Sequence, residues 1–94
     1  MAEIGLLGSL REPLLNIFPN PCIGETYFYT DDLEANWLYI YDYSGNVKEK
    51  WRITPGRTLH VDLSLAPGTY HIILRDGFQN PLGLPKPLFI STSH

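Results

Sequence analysis

Few residues in this 94-residue chain have the type and spacing that chemistry requires. His60 and Asp62 stand two apart, so a strand would project both from one face, and His71 falls on the next apolar run. Imidazole and carboxylate together are donors for a divalent transition metal. In a β-sandwich, however, strands connected this way often occupy opposite sheets, and a strand-face histidine is more often half-exposed surface than a ligand. Cys22, the single cysteine, excludes an internal disulfide and a Cys-rich zinc site. As a nucleophile it would need a base and an electropositive pocket, and it lies in a proline-rich turn without a basic neighbour, so it reads as a small core hydrophobe. Asp31, Asp32 and Glu34 lack the ligand spacing and glycine of a calcium loop and read as a solvated turn. Ser44, Ser64 and Ser91 lie outside any nucleophile-elbow context. The residues therefore predict a non-catalytic domain with no cofactor and no metal.

The elements that would position these side chains follow from a period of two. Phe28 alternates with Tyr27 and Tyr29, and Leu38 and Ile40 alternate with Trp37, Tyr39 and Tyr41. Similar runs at Leu14–Phe18, Val47–Ile53, Thr58–Leu63, Thr69–Arg75 and Pro87–Ser91 bring the count to about seven strands. Turn signals separate them: Asn20-Pro21, Ser44-Gly45-Asn46, Pro55-Gly56, Pro67-Gly68, Asp76-Gly77 and Asn80-Pro81. This spacing predicts an all-β antiparallel sandwich. One short helical piece is conceivable over Ile4–Leu15, and residues 1–13 are expected to be a linker or a loosely attached segment ahead of a 14–94 domain.

Some details can be read further. Pro67-Gly68 suits the centre of a type II turn. Tyr70, two residues later, has the placement of the tyrosine corner of sandwich domains, whose phenol bonds nearby backbone. Ser44-Gly45-Asn46 joins two antiparallel neighbours, and Leu38, Ile40 and Val47 are expected in the core. If Phe28, Leu38 and Ile40 point inward, then Tyr27, Tyr29, Trp37, Tyr39 and Tyr41 form an outward aromatic ladder, a possible surface for a protein or a sugar. The competing expectation is that the Gly77–Pro85 loop folds over it or that the strand is packed on both sides.

Composition limits the partners. Seven Lys and Arg against ten Asp and Glu give a net charge of −3 without a basic run, which argues against nucleic acid and anionic lipid. The first ten residues lack a basic n-region, and their apolar run is broken by Gly5, Gly8 and Ser9, so they do not read as a signal peptide. No window approaches the roughly 20 apolar residues of a membrane span, so no membrane insertion is expected.

The order of motifs carries a resemblance. Asn16-Ile17-Phe18-Pro19-Asn20-Pro21, then Gly24-Glu25, then Leu38-Tyr39-Ile40-Tyr41-Asp42-Tyr43-Ser44-Gly45-Asn46-Val47, then Val61-Asp62-Leu63, then Leu65-Ala66-Pro67-Gly68-Thr69-Tyr70-His71-Ile72 resembles the C-terminal sorting domain of type IX secretion cargo, over about residues 14 to 91. That family is an Ig-like β-sandwich of Bacteroidota, with a P-N-P turn at its start, a Y-D-x-x-G hairpin, an L-x-x-G-x-Y strand and a Lys-bearing terminal strand. The segment Asp76–Pro85 ahead of Lys86 is longer than the family's usual turn. The resemblance implies an address read by protein components of the secretion machinery, a passenger domain N-terminal to it, and passage through the periplasm to the outer-membrane surface or the medium. It assigns the recognised shape to Pro19, Asn20, Pro21, Asp42, Gly45, Pro67, Gly68, Tyr70 and Lys86. The alternative is a stand-alone module binding carbohydrate or protein on its aromatic face.

Overall fold

A computed structural model describes residues 12–92. Seven strands follow one another: β1 (Asn16–Phe18), β2 (Glu25–Tyr29), β3 (Trp37–Tyr41), β4 (Val47–Arg52), β5 (Leu59–Asp62), β6 (Gly68–Arg75) and β7 (Pro81–Ile90). They form two antiparallel sheets, one ordered β1-β2-β5 and the other β4-β3-β6-β7. There is no helix among the described residues. Relative to the constant-type immunoglobulin arrangement, the fourth strand has moved from beside the fifth to beside the third, and the fold is an Ig-like sandwich. Residues 1–11, including most of the expected helical piece and linker, lie outside the described residues.

The inward set of each strand builds one core between the sheets. Phe28 and Val61 come from the three-stranded sheet, and Leu38, Ile40, Ile72, Leu74, Leu88 and Ile90 from the four-stranded one. Phe28 is fully buried and meets Trp51 across the gap at 6.3 Å between ring centroids. Truncating such a side chain to alanine costs about 3–5 kcal/mol, a large part of a small domain's stability. Cys22 is 2% exposed and belongs to this core.

The prolines of the first turn explain how one strand serves both sheets. Pro19 and Pro21 cannot donate to a ladder, so pairing of β1 with β2 ends at Phe18. The chain then crosses, and Cys22 makes a parallel bridge to Ile90 of β7, with Cys22 N–H donating to the Phe89 carbonyl at 2.9 Å and Ser91 N–H to the Cys22 carbonyl at 2.8 Å. Thr26, fully buried, donates its hydroxyl to the Pro19 carbonyl at 2.9 Å and so satisfies the crossing backbone.

Several details differ from the sequence reading. Val47 is 49% exposed rather than core, because a bulge shifts the register so that Ile40 faces Glu49 but Tyr41 faces Val47, turning Val47 outward. Pro67-Gly68 is not a type II turn: Gly68 opens β6 opposite Ile90 at φ 153°, far from the roughly +80° that such a turn needs. The last strand begins at Pro81 rather than Pro87, which reduces the expected long loop to the hairpin Asp76–Asn80. The strand is half prolines and glycine over its first part and therefore carries no β-like pattern.

Candidate functional site

The aromatic ladder divides between the two outer faces, because β2 and β3 belong to different sheets although they are consecutive. Tyr27 and Tyr29 lie on the three-stranded sheet, and Trp37, Tyr39 and Tyr41 on the four-stranded one. The single five-residue platform is therefore not formed. The two halves have different surroundings.

On the four-stranded sheet, the register sets cationic side chains beside Trp37 and Tyr39, and Arg75 reaches Tyr41 as well. Trp37 lies between Arg52 of β4 and Arg75 of β6, and Tyr39 lies beside Lys50. The Arg52 guanidinium carbon stands 5.0 Å from the Trp37 ring centre, Lys50 Nζ 5.8 Å from Tyr39, and the Arg75 carbon 5.1 Å from Tyr39 and 5.9 Å from Tyr41. These are cation–π distances. Tyr39 and Tyr41 stack at 6.0 Å, and Trp37 meets Tyr39 edge-on at 6.3 Å. The outward positions paired in these ladders are Trp37, Tyr39, Tyr41, Val47, Lys50, Arg52, Thr69, His71, Ile73, Arg75, Pro81, Pro87 and Phe89, and none is acidic.

Arg75 is held in place. Nε and Nη2 donate to the Tyr41 hydroxyl at 3.2 and 2.7 Å, and Nη1 donates to the Gln79 carbonyl at 2.7 Å. The Tyr39 hydroxyl donates to Gln79 Oε1 at 2.6 Å, so the tip of the β6–β7 hairpin reaches to the rings, and all three are half-buried. Next to Tyr41 is a shallow depression of about 390 Å³, lined by Asp42, Tyr43, His71, Ile73, Arg75 and Pro85 among others. Tyr43, at its rim, is 85% exposed.

At that rim the β3–β4 hairpin is closed by Asp42, which accepts from Ser44 N–H and Asn46 N–H at 2.9 Å each while Gly45 takes φ 91°. Donation from the Asn46 N–H, with smaller help from its side chain, Ser44 N–H and the charge of Lys48, holds the Asp42 carboxyl below its ordinary value of 3.8 against some desolvation.

The other outer face is aromatic and acidic. Phe18, Tyr27 and His60 stack in series, at 5.5 and 4.7 Å. His60 Nε2 lies 3.4 Å from Glu25 Oε1, and the donor atoms of Glu25, His60 and Asp62 lie within 4.8 Å of one another. Of His60, Asp62 and His71, which the sequence offered and set aside as a metal site, the structure separates the last from the other two. His71 sits on β6 in the opposite sheet, and Glu25, directly across from Asp62, takes its place. All three side chains are exposed, and this trio could hold a divalent cation.

The remaining sequence-derived residues occupy structural positions. The Tyr70 hydroxyl donates to the Ala66 carbonyl at 2.6 Å, the geometry of a tyrosine corner, beside Pro67 and Gly68. Asn20 grips the last strand: its Nδ2 donates to the Pro87 carbonyl at 3.0 Å and its Oδ1 accepts from Phe89 N–H at 2.9 Å. Lys86, paired with Ile72, is half-buried next to that contact in the chain. Asp32 closes its own loop by accepting from Glu34 N–H at 3.0 Å, and it is buried where the sequence reading expected a solvated turn. Sequence reasoning missed Lys50, Arg52, Arg75 and Gln79; the alternation of Lys50 and Arg52 with Trp51 was the available signal.

No protein-family model matches the chain, and no curated protein matches it.

Proposed function

We propose that this domain is a non-catalytic export address of the type IX sorting kind, read by protein components of that machinery while it passes through the periplasm attached to an N-terminal passenger, which it accompanies to the outer-membrane surface or the medium. One observation carries the reading. The Pro19-Asn20-Pro21 turn and the Lys86-bearing terminal strand, the two ends of the motif series, are joined by the paired side-chain hydrogen bonds of Asn20 to Pro87 and Phe89. A recognisable shape needs both in fixed relation, and a side-chain amide bonded to backbone on both its donor and acceptor sides supplies that. Asp42, Gly45, Pro67, Gly68 and Tyr70 act in this reading as the frame that keeps the shape.

The test is a fusion of the chain to the C-terminus of a periplasmic reporter in a host competent for type IX secretion. The reporter is expected outside the outer membrane, and Asn20→Ala is expected to retain it in the periplasm while the domain remains folded by circular dichroism. A folded wild-type domain whose reporter never leaves the periplasm overturns the proposal. A second reading, a binding module for carbohydrate or protein, is favoured by the rings and cations set side by side on the outer face of the four-stranded sheet.

A further inference from the structure

We propose that the outer face of β3, β4 and β6 binds a carboxylated glycan, a chain bearing uronic acid residues. This deepens the binding-module reading and rests on it; it needs no export. The face presents two kinds of partner at one length scale. Flat rings at Trp37, Tyr39 and Tyr41 recur at about 6 Å, and a cation stands 5.0 to 5.9 Å from each of them. The chain as a whole is acidic, yet the paired outward positions of this face hold Lys50, Arg52 and Arg75 and no carboxylate. Such a concentration of one sign against the net charge selects an anionic ligand.

Arg75 gives the site its donor. Three of the five N–H groups of a guanidinium are committed, to the Tyr41 hydroxyl and the Gln79 carbonyl, which leaves two for a ligand. Because those contacts and the two rings already fix the group, its ordering entropy is not charged against binding. The adjoining depression, about 390 Å³, falls in the range of small-ligand sites; its walls combine the exposed Tyr43 and apolar Ile73 and Pro85 with His71 and Arg75, and its one carboxylate, Asp42, has Oδ1 taken up by the N–H groups of Ser44 and Asn46. A uronate ring matches this pairing: its C–H face stacks on an aromatic side chain while its carboxylate meets the guanidinium. An acidic peptide offers carboxylates on flexible stems but no flat apolar face, and a neutral sugar brings no anion to the two remaining N–H groups of Arg75.

The probe is tetragalacturonic acid, titrated against the whole chain in low salt by calorimetry and by the fluorescence of Trp37 in a Trp51→Phe background. Neutral maltotetraose and a deca-glutamate peptide are titrated alongside. Tetragalacturonate is expected to bind at least tenfold more tightly than either, with affinity falling as salt rises. Arg75→Lys, which keeps the charge but loses the fork, is expected to weaken binding at least tenfold. Should Arg75→Lys disturb the fold by circular dichroism, Arg52→Gln serves, with a three- to tenfold loss expected. Tyr27→Ala, on the opposite face, leaves binding unchanged. Equal or tighter binding of maltotetraose or deca-glutamate overturns the uronate proposal while the binding-module reading survives. Absence of binding by all three probes overturns the uronate proposal and the carbohydrate form of the binding-module reading, and binding that resists every substitution on the face overturns the location.

Discussion

Two hairpins close the four-stranded sheet at opposite ends, one after Tyr41 and one after Arg75, and they share one hydrogen-bond scheme. In Asp42–Asn46 the aspartate N–H donates to the asparagine carbonyl at 2.9 Å, and one carboxylate oxygen accepts from Ser44 and Asn46 at 2.9 Å. In Asp76–Asn80 the first distance is 3.0 Å, and the carboxylate accepts from Phe78 and Asn80 at 2.9 Å. The fourth position separates them, with Gly45 at φ 91° and Gln79 at φ 70°. Left-handed backbone costs an L-residue about 1–2 kcal/mol that glycine avoids. The first hairpin shows that the turn closes with glycine, so closure does not require glutamine at the second. What Gln79 adds is a side-chain acceptor for Tyr39, beside a carbonyl that accepts from Arg75. Left-handed backbone is thus kept where Gln79 holds a ring and the guanidinium of one surface.

The largest effect is expected from making the first hairpin resemble the second. Gly45→Gln places a left-handed L-residue where an added Cβ would meet nothing within 4 Å, so no contact offsets the backbone cost. Stability should fall by about 1–2 kcal/mol, read as a lower urea midpoint with an unchanged slope. Gly45→Asn should lose less, since asparagine tolerates this region. A Gly45→Gln protein as stable as the parent would remove left-handed strain as the distinction between the hairpins.

A smaller effect is expected from the converse change. Gln79→Gly relieves the backbone but removes the acceptor of the Tyr39 hydroxyl, an exposed hydrogen bond worth about 0.5–1.5 kcal/mol, so the two contributions nearly cancel and stability should stay within about 1 kcal/mol of the parent. Combining Gln79→Gly with Tyr39→Phe isolates the contact as a coupling energy of about 0.5–1 kcal/mol. Additivity of the two changes would mean that the hydrogen bond contributes nothing and that Gln79 has another reason to be there.

Much of this was legible in the sequence, for a physical reason. Strands announce themselves by alternation, which is local, so Phe28, Leu38 and Ile40 could be assigned inward, and all three are fully buried. The D-x-x-G-N order around Gly45 signals a hairpin because glycine supplies the positive φ. Asp76-Gly77 also read as a turn, but the hairpin closing at Asn80 did not, because Gln79 does not look like a left-handed residue. The partition into sheets was illegible for a different reason. Whether Tyr27 and Tyr39 share a face depends on whether the connection between β2 and β3 turns back or crosses over, and the residues of either strand look the same in both cases. The cationic half of the face was hidden because Arg52, Arg75 and Lys50 are far apart in sequence and meet only through strand register.

The smallest expected effect tests whether the two shared aspartates are as equivalent as their hydrogen bonds. In both loops the asparagine N–H, Asn46 or Asn80, is the main influence holding the carboxyl below 3.8. Asp42 is held down in addition by the charge of Lys48, whereas Asp76 relies on hydrogen bonds alone. A carboxyl whose value is lower folded than unfolded contributes stability that is present above the unfolded value and disappears as pH falls through the folded one. Both loops should therefore weaken only below about pH 4, and Asp42→Asn and Asp76→Asn should each flatten that acid limb. Salt distinguishes the two. A charge–charge attraction between exposed groups is screened at 1 M ionic strength, where the Debye length is about 3 Å, while a hydrogen bond from a backbone N–H is not. Following each carboxyl carbon by NMR through an acid titration, Asp42 should move up toward its ordinary value in 1 M salt while Asp76 stays. Equal movement of both would place the same long-range charge on each loop, and no movement of either would leave Lys48 without influence and the two hairpins distinguished only by Gly45 and Gln79.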